Sequence, residues 1–354
     1  MLFNYPVDAT NENWLSEVLI QILRDAIEAV RDDTEPSVFQ DAIPVAYQAE
    51  IGRARKFPEL YLAFVESIKE LDDGDLGIVL DALDRQNSFP ALFDVHTPCP
   101  NLNPILPRVH QVTRELFEYA FKKLSELRTP GAGETIRANY HVCVAGHLES
   151  GCCPFCGLEF LEAPDPDLVN PDLDHYLAVS KYPFAGANLR NLTAMGTVCN
   201  RSYKGAKDIL LDEHDQKTDC IDPYGDETVT VSLTGTVLLP GAGEGPTWSL
   251  QFVPDVRSRN WRRVFKLETR LTSTVLEKQY QNWLKHCVDY ASKKGIDVGD
   301  RRGALLAVRE FKDTCAYADL PTIALLKTSF FEIIEKELND PENADRVHNF
   351  IRAV

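Results

Sequence analysis

The chain has 354 residues, 44% of them hydrophobic, and a formal net charge of −17. This length allows two domains or one large core with insertions, and the composition is that of a folded chain. The negative charge argues against general electrostatic attachment to nucleic acid or anionic lipid. No apolar run reaches the roughly 18 residues that cross a bilayer, and the first residues do not form a signal peptide. We therefore expect a cytoplasmic protein without a membrane part, whose nine cysteines are reduced thiols.

Amphipathic patterns predict helices in both terminal regions. Apolar residues recur at three- and four-residue steps from Leu15 to Val30, which predicts the first helix. Similar patterns predict further helices at 37–56, 58–70, 76–85, 108–128, 261–292, 301–315, 321–338 and 342–353. The charge is uneven, since residues 1–85 hold 18 acidic and 7 basic side chains, whereas residues 255–270 hold six basic and two acidic ones.

The middle of the chain differs from both ends. Residues 139–212 show little helical periodicity and hold five of the nine cysteines. The runs ETVTVSLTGTVLL and TWSLQFV then flank PGAGEGP, which predicts a β-hairpin. The sequence thus predicts an α+β fold with a mostly helical body. Its predicted parts are a helical N-terminal region (1–135), a central region with the hairpin (136–255) and a helical C-terminal region (256–354).

An ordered set of chemically distinctive residues lies in the central region. In chain order it consists of CPFCG at 153–157, DHYLAVSKYP at 174–183, NL at 191–192 and CNRSYKG at 199–205. A Cys-x-x-Cys turn is typical of structural zinc sites. Asp and Asn oxygens suit a hard cation such as Mg²⁺, and a histidine suits a general base near neutral pH. The run SYKGAKDIL predicts a helix after these residues.

This set resembles the HNH endonucleases with a ββα-metal site, in the subgroup that combines CPxCG, DHYLPKSxYP, NL and CNxxxKG. The sequence from there to Arg270 is similar to nucleases of bacterial anti-phage defence modules such as the Septu-type HNH proteins. The resemblance implies a small ββα-metal centre that hydrolyses DNA phosphodiester bonds with Mg²⁺ or Mn²⁺. It also implies a role in antiviral defence with a separate ATPase partner, which the acidic N-terminal helices could dock. The chain itself lacks the G-x-x-x-x-G-K-[ST] run of P-loop ATPases.

Roles follow from the resemblance position by position. Asp174 and Asn200 would bind the catalytic divalent metal. His175 would be the general base that takes a proton from the attacking water. Asn191 would brace the loop that holds this histidine.

The resemblance also implies contacts to nucleic acid and to zinc. Arg201 and Lys204 would contact phosphate oxygens. The implied zinc ligands are Cys153, Cys156 and Cys199. The family has a fourth cysteine where this chain has Gly196, and Pro-Lys where it has Ala178-Val179. The fourth ligand stays open among four residues, namely Cys143, His147, Cys152 and Cys220, and a degenerate site is a further alternative.

Other functional classes remain compatible with the sequence. One is a zinc-knuckle module that binds nucleic acid or protein and whose HNH centre is inactive. Another is a helical scaffold in which that centre is a relic. The basic run at 257–270 is compatible both with a solvated helix face and with a DNA groove.

Overall fold

A computed structural model describes residues 4–148, 151–161, 173–241, 244–317 and 320–354. The fold is mostly helical with two small antiparallel sheets, which confirms the predicted α+β class. The chain divides into two compact units. The first comprises Asn4–Gly151 and Leu161–Glu227, and the second comprises Cys152–Phe160 and Thr228–Val354. Within the described ranges, every helix is too short or too polar to traverse a bilayer.

The first unit is built on helices that pack around an aromatic and aliphatic core. Its α-helices are α1 (Trp14–Arg31), α2 (Phe39–Ala42), α3 (Val45–Ile51), α4 (Phe57–Ile68), α5 (Asp73–Arg85), α6 (Pro107–Lys123) and α7 (Ile136–His147). Short 3₁₀ helices lie at Val7–Thr10, Ala91–Phe93, Pro183–Ala185 and Leu189–Asn191. Strands β1 (Leu173–His175) and β2 (Leu192–Ala194) precede a π-helix at Val198–Lys204. The predicted N-terminal helices are confirmed, except that the predicted helix at 37–56 is divided at Pro44, which cannot donate a backbone hydrogen bond.

Helix α7 was not predicted from the sequence. Thr135 caps its N-terminus by accepting a hydrogen bond from the Ala138 amide at 3.2 Å. Ile136, Tyr140 and Val144 follow at four-residue steps and are all buried. This apolar stripe is short and lies among polar residues, so periodicity alone did not distinguish it.

The second unit contains the hairpin and the C-terminal helices. Its elements are β3 (Thr230–Ser232), β4 (Gln251–Val253), α8 (Asp255–Phe265), α9 (Leu267–Thr269), a π-helix at Arg270–Leu276, α10 (Glu277–Lys294), α11 (Arg301–Thr314), a 3₁₀ helix at Cys315–Tyr317, α12 (Pro321–Asn339) and α13 (Ala344–Arg352). Val231 pairs with Phe252 in antiparallel register, which confirms the predicted hairpin. Residues 242–243 of its predicted loop lie outside the described residues. The predicted helix at 261–292 is interrupted at Lys266, whose φ of 48° is left-handed.

An ion-pair cluster joins α11 to α12. The Glu335 carboxylate lies 2.7 Å from Arg309 Nε and 2.8 Å from Lys312 Nζ. Hydrogen bonds from Lys312 and then Arg309 lower the pKa of Glu335 below its usual value. A carboxyl whose pKa is lowered by folding stabilises the protein above its unfolded pKa, and this stability is lost as the pH falls through the folded pKa.

We therefore predict that Glu335→Gln lowers the thermal midpoint of the second unit at pH 7 by about 2–4 °C, which corresponds to about 1 kcal/mol. Scanning calorimetry should show this difference shrinking as the pH falls below about 4, where the wild-type carboxyl is increasingly protonated. The exposed Glu332 on the same helix provides the control, and Glu332→Gln should change the midpoint less. A pH-independent loss for Glu335→Gln would contradict the ionic account.

Candidate active site and cysteine group

The Asp-His pair lies on a short strand, β1. Strand β1 pairs with β2 in antiparallel register, so that Asp174 is opposite Thr193 and His175 is opposite Leu192. Successive side chains of a strand point to opposite faces. The carboxylate and the imidazole therefore leave β1 on different sides, and each has its own environment.

The His175 ring is held in one tautomer by the backbone. Its Nε2 lies 2.7 Å from the carbonyl oxygen of Gly186. Because a carbonyl only accepts hydrogen bonds, Nε2 carries the hydrogen, and in the neutral ring Nδ1 is the acceptor. The Phe121 ring packs beside the imidazole with centroids 4.4 Å apart. Burial lowers the pKa of His175, although the Gly186 bond opposes this effect, and a lower pKa favours the neutral ring.

Gly186 occupies a position where no side chain fits. A Cβ atom there would lie 2.8 Å from Val179 Cγ2 and 3.0 Å from both Phe117 Cβ and the Pro183 carbonyl oxygen. These distances are shorter than ordinary van der Waals contacts. The absence of a side chain thus allows the loop to pack closely enough for its carbonyl to reach His175.

Asn191 ties this loop to β2. Its Nδ2 donates to the carbonyl oxygens of Leu177 and Ala185, each at 3.1 Å, and its Oδ1 accepts from the Leu177 amide at 2.7 Å. The side chain is fully buried. These are the contacts that the bracing role predicted for Asn191 requires.

Helix α5 and the residues after it support the same loop from the other side. Gln86 Oε1 accepts from the Phe184 amide at 2.9 Å, and Asn87 Nδ2 donates to the Phe184 carbonyl at 3.2 Å. Asn188 Nδ2 donates to Asn87 Oδ1 at 2.9 Å. No role of these three amide side chains was predicted from the sequence, because nothing in their local pattern indicates a distant loop. The helical region and the candidate site are therefore parts of one hydrogen-bonded structure.

The π-helix carries the remaining predicted site residues. Its wider turn is shown by the Gly205 amide, which donates to the Asn200 carbonyl five residues earlier at 2.9 Å. Asn200 is half-buried and Arg201 is exposed. The helix ends at Lys204, so the prediction of a helix over the whole of SYKGAKDIL was wrong beyond that residue.

Lys204 has an unexpected environment. Its side chain is only 2% exposed, and its Nζ lies 3.0 Å from Asp174 Oδ2. The two groups do not meet at a hydrogen-bonding angle, so Oδ2 has no hydrogen-bond donor among the described residues. The phosphate contact predicted for Lys204 stays a prediction, and it would require the ammonium to leave this ion pair.

The predicted zinc cysteines belong to one group of potential ligands. The Sγ atoms of Cys153, Cys156 and Cys199 and a carboxylate oxygen of Glu159 all lie within 4.8 Å of one another. The three cysteines are fully buried. Three sulfurs and one carboxylate oxygen fit a tetrahedral ion, so this group could hold a metal such as zinc. Glu159 joins the group in place of the four residues among which the sequence left the fourth ligand open.

The backbone of the CPFCG turn explains why Glu159 reaches the group. The Gly157 amide donates to the Cys153 carbonyl, and the Cys153 amide donates to the Glu159 carbonyl, both at 2.8 Å. Gly157 has a φ of 58°, which glycine adopts without strain. The Leu158 amide points at Cys156 Sγ at 3.4 Å. The turn therefore brings Glu159 back beside the sulfurs, although no fixed ligand spacing in the sequence indicates a carboxylate.

Part of the basic run at 257–270 is used inside the protein. Arg262 is 9% exposed and pairs with Asp255 at 2.5 Å and with Glu268 at 2.9 Å. Its guanidinium also lies over the Phe252 ring, 4.8 Å from the centroid. Arg259 pairs with Asp255 as well, at 3.1 Å. These pairs favour a structural helix face over a DNA groove for this part of the run.

We predict that Asn191→Leu destabilises the first unit by about 3 kcal/mol, because the buried Leu177 amide and carbonyl lose their side-chain partner, whereas the Ala185 carbonyl keeps its bond from the Asn188 amide. Thermal unfolding followed by circular dichroism measures the loss. Gln111→Leu is the matched control, because this exposed amide bonds to Glu115, one turn away on α6. The substitution should lower the free energy of unfolding by about 0.3 kcal/mol. Equal effects of the two substitutions would mean that the Asn191 bonds contribute little.

The cysteine group leads to a second prediction. Protein purified without chelator should contain stoichiometric zinc when its metal content is measured by mass spectrometry. Cys156→Ser should abolish this zinc content, because the three remaining ligands hold the ion poorly. Glu159→Gln should weaken retention against a chelator. Cys287→Ser is the control, because Cys287 is a buried free thiol outside the group. Full zinc content in Cys156→Ser would exclude this group as the ligand set.

Comparisons with known proteins give no relative for this chain. No family model matches it, and neither the curated proteins nor the solved structures contain a match. The arguments for a function therefore rest on the arrangement of β1, β2 and the π-helix and on the cysteine group.

Proposed function

We propose that this protein is a metal-dependent endonuclease of the HNH type that hydrolyses DNA phosphodiester bonds. One observation carries the proposal: β1, which holds Asp174 and His175, pairs with β2, and the π-helix that holds Asn200 follows in the chain. The fixed tautomer of the histidine adds to it. Both features are what hydrolysis by an activated water needs from the protein.

In this proposal His175 is the general base. Its Nε2 is committed to the Gly186 carbonyl, so Nδ1 takes the proton from the attacking water. Burial lowers the pKa of the ring, which keeps it neutral and able to accept that proton at neutral pH. Asn191 and the Gly186 loop hold the ring in place during the transfer.

Asp174 and Asn200 would hold Mg²⁺ or Mn²⁺, which when bound stabilises negative charge on the scissile phosphate and the leaving oxygen. The chemistry of these donors fits such an ion, because it prefers oxygen ligands. Asp174 Oδ2 is buried and lacks a hydrogen-bond donor among the described residues. The Lys204 ammonium 3.0 Å away compensates its charge in this structure, and a divalent cation would take over that role.

The proposed setting is a bacterial anti-phage defence system with a separate ATPase. Two observations support a partner. The net charge of −17 opposes autonomous, sequence-independent DNA binding. Residues 1–85 carry 7 basic against 18 acidic side chains, a net of −11, and so offer an acidic surface to a basic partner.

A second candidate is a zinc-binding interaction module with an inactive centre. The buried ion pair between Lys204 and Asp174 favours it, because the ammonium neutralises the carboxylate that would bind the catalytic metal. The two candidates differ in whether DNA is cleaved.

We expect the purified protein to nick supercoiled plasmid in Mg²⁺ or Mn²⁺, and His175→Ala to slow nicking by at least about 100-fold, the usual effect of losing a general base. Asp174→Ala should also lose activity. His214→Ala is the matched control, since this histidine is 78% exposed and should leave the rate unchanged.

Gel electrophoresis of the plasmid separates the outcomes. Nicking that persists in His175→Ala would remove this residue from the mechanism. DNA binding at low salt without cleavage by any form, with or without a co-expressed ATPase, would favour the interaction module.

A further inference from the structure

Lys204 is a charged group in a place where charge is costly. Its side chain is 2% exposed, while Asp174 is 19% exposed. An ammonium removed from water needs close compensation by an opposite charge and by hydrogen-bond acceptors. Asp174 Oδ2 at 3.0 Å gives the charge, and the Gly205 carbonyl at 3.4 Å gives a weak acceptor.

The position of Lys204 on its helix contributes to this compensation. Lys204 is the last residue of the π-helix, and the C-terminal end of a helix favours a cation. Gly205 follows with a φ of 49° and turns the chain. The ammonium is thus placed on the same carboxylate oxygen that the proposed function assigns to a divalent cation.

We propose that Lys204 is an internal counter-ion of Asp174, and that a divalent cation binds Asp174 only by displacing this ammonium. The inference rests on the proposed function, since it concerns the carboxylate that would hold the catalytic metal. Lys204 and the ion compete for Oδ2, and like charges at this range repel strongly inside a protein. Lys204 therefore weakens metal binding and sets the concentration of divalent cation at which the site fills.

The competition is measured directly with Mn²⁺, whose free form is detected by electron paramagnetic resonance. Mn²⁺ prefers oxygen ligands, so the cysteine group does not obscure the measurement. Lys204→Met removes the charge and keeps much of the apolar volume. We expect it to tighten Mn²⁺ binding by at least about tenfold, because one like charge close to the ion is removed.

Two variants give the controls. Lys207→Met removes an exposed lysine three residues further along the chain and should change the Mn²⁺ affinity by less than about twofold, because exposed charges are screened. Asp174→Asn should abolish the high-affinity site. If Lys204→Met bound Mn²⁺ no more tightly than the wild type, the inference would be overturned. That result is expected of a lysine that only holds Asp174 in position and does not compete with the ion. Wild-type affinity in Asp174→Asn would also overturn it.

A measurement on the wild-type chain makes the test independent of how well Lys204→Met folds. A buried lysine ammonium exchanges slowly enough to give its own nitrogen-correlated NMR signal, assigned by its loss in Lys204→Arg. Mg²⁺ should shift or remove this signal in the wild type and leave it unchanged in Asp174→Asn. A signal that Mg²⁺ does not alter in the wild type would overturn the inference. If Mg²⁺ displaces the Lys204 ammonium but plasmid is not cleaved, the counter-ion role of Lys204 is supported and only the proposed nuclease activity is refuted.

Discussion

The carboxamide of Asn191 bonds to the backbone of Leu177 and of Ala185, so one side chain directly before β2 holds two points of the loop that follows β1. Gly186 lies in that loop next to Ala185, and its carbonyl orients His175. Two paired strands of three residues are marginal by themselves. The orientation of the imidazole therefore depends on a buried amide more than on the sheet.

The helical region makes a comparable contribution. Gln86 is fully buried, and its amide both accepts from Phe184 and donates to the Pro100 carbonyl at 2.7 Å. Asn87 and Asn188 continue the same chain of amides. Each of these buried polar groups is costly unless it is paired, so the loop and the helices stabilise each other. The candidate centre is thus built into the helical unit and is not a separate module attached to it.

The sequence predicted those features that depend on local patterns. Amphipathic stripes identified most helices, and alternating residues with a glycine-rich turn identified the hairpin. Glu159 was missed because a carboxylate ligand has no fixed spacing, and only the fold of the CPFCG turn brings it to the sulfurs. The phosphate contact of Lys204 was implied by the resemblance, and lysines are rarely fully buried. Lys204 is buried beside Asp174 of β1. The two residues are far apart in the sequence, so no local pattern indicates this contact.

The charge of the centre connects these observations to the acidity of the whole chain. Asp174 and Lys204 cancel each other as an ion pair, so without metal the centre does nothing to offset a net charge of −17. A divalent cation adds two positive charges at this point and, in the proposed exchange, frees the ammonium beside them. Coulomb attraction to a phosphate acts mainly within about 10 Å at moderate salt. In the proposed nuclease, a local change of this size would favour the approach of DNA to the site although the chain as a whole is acidic.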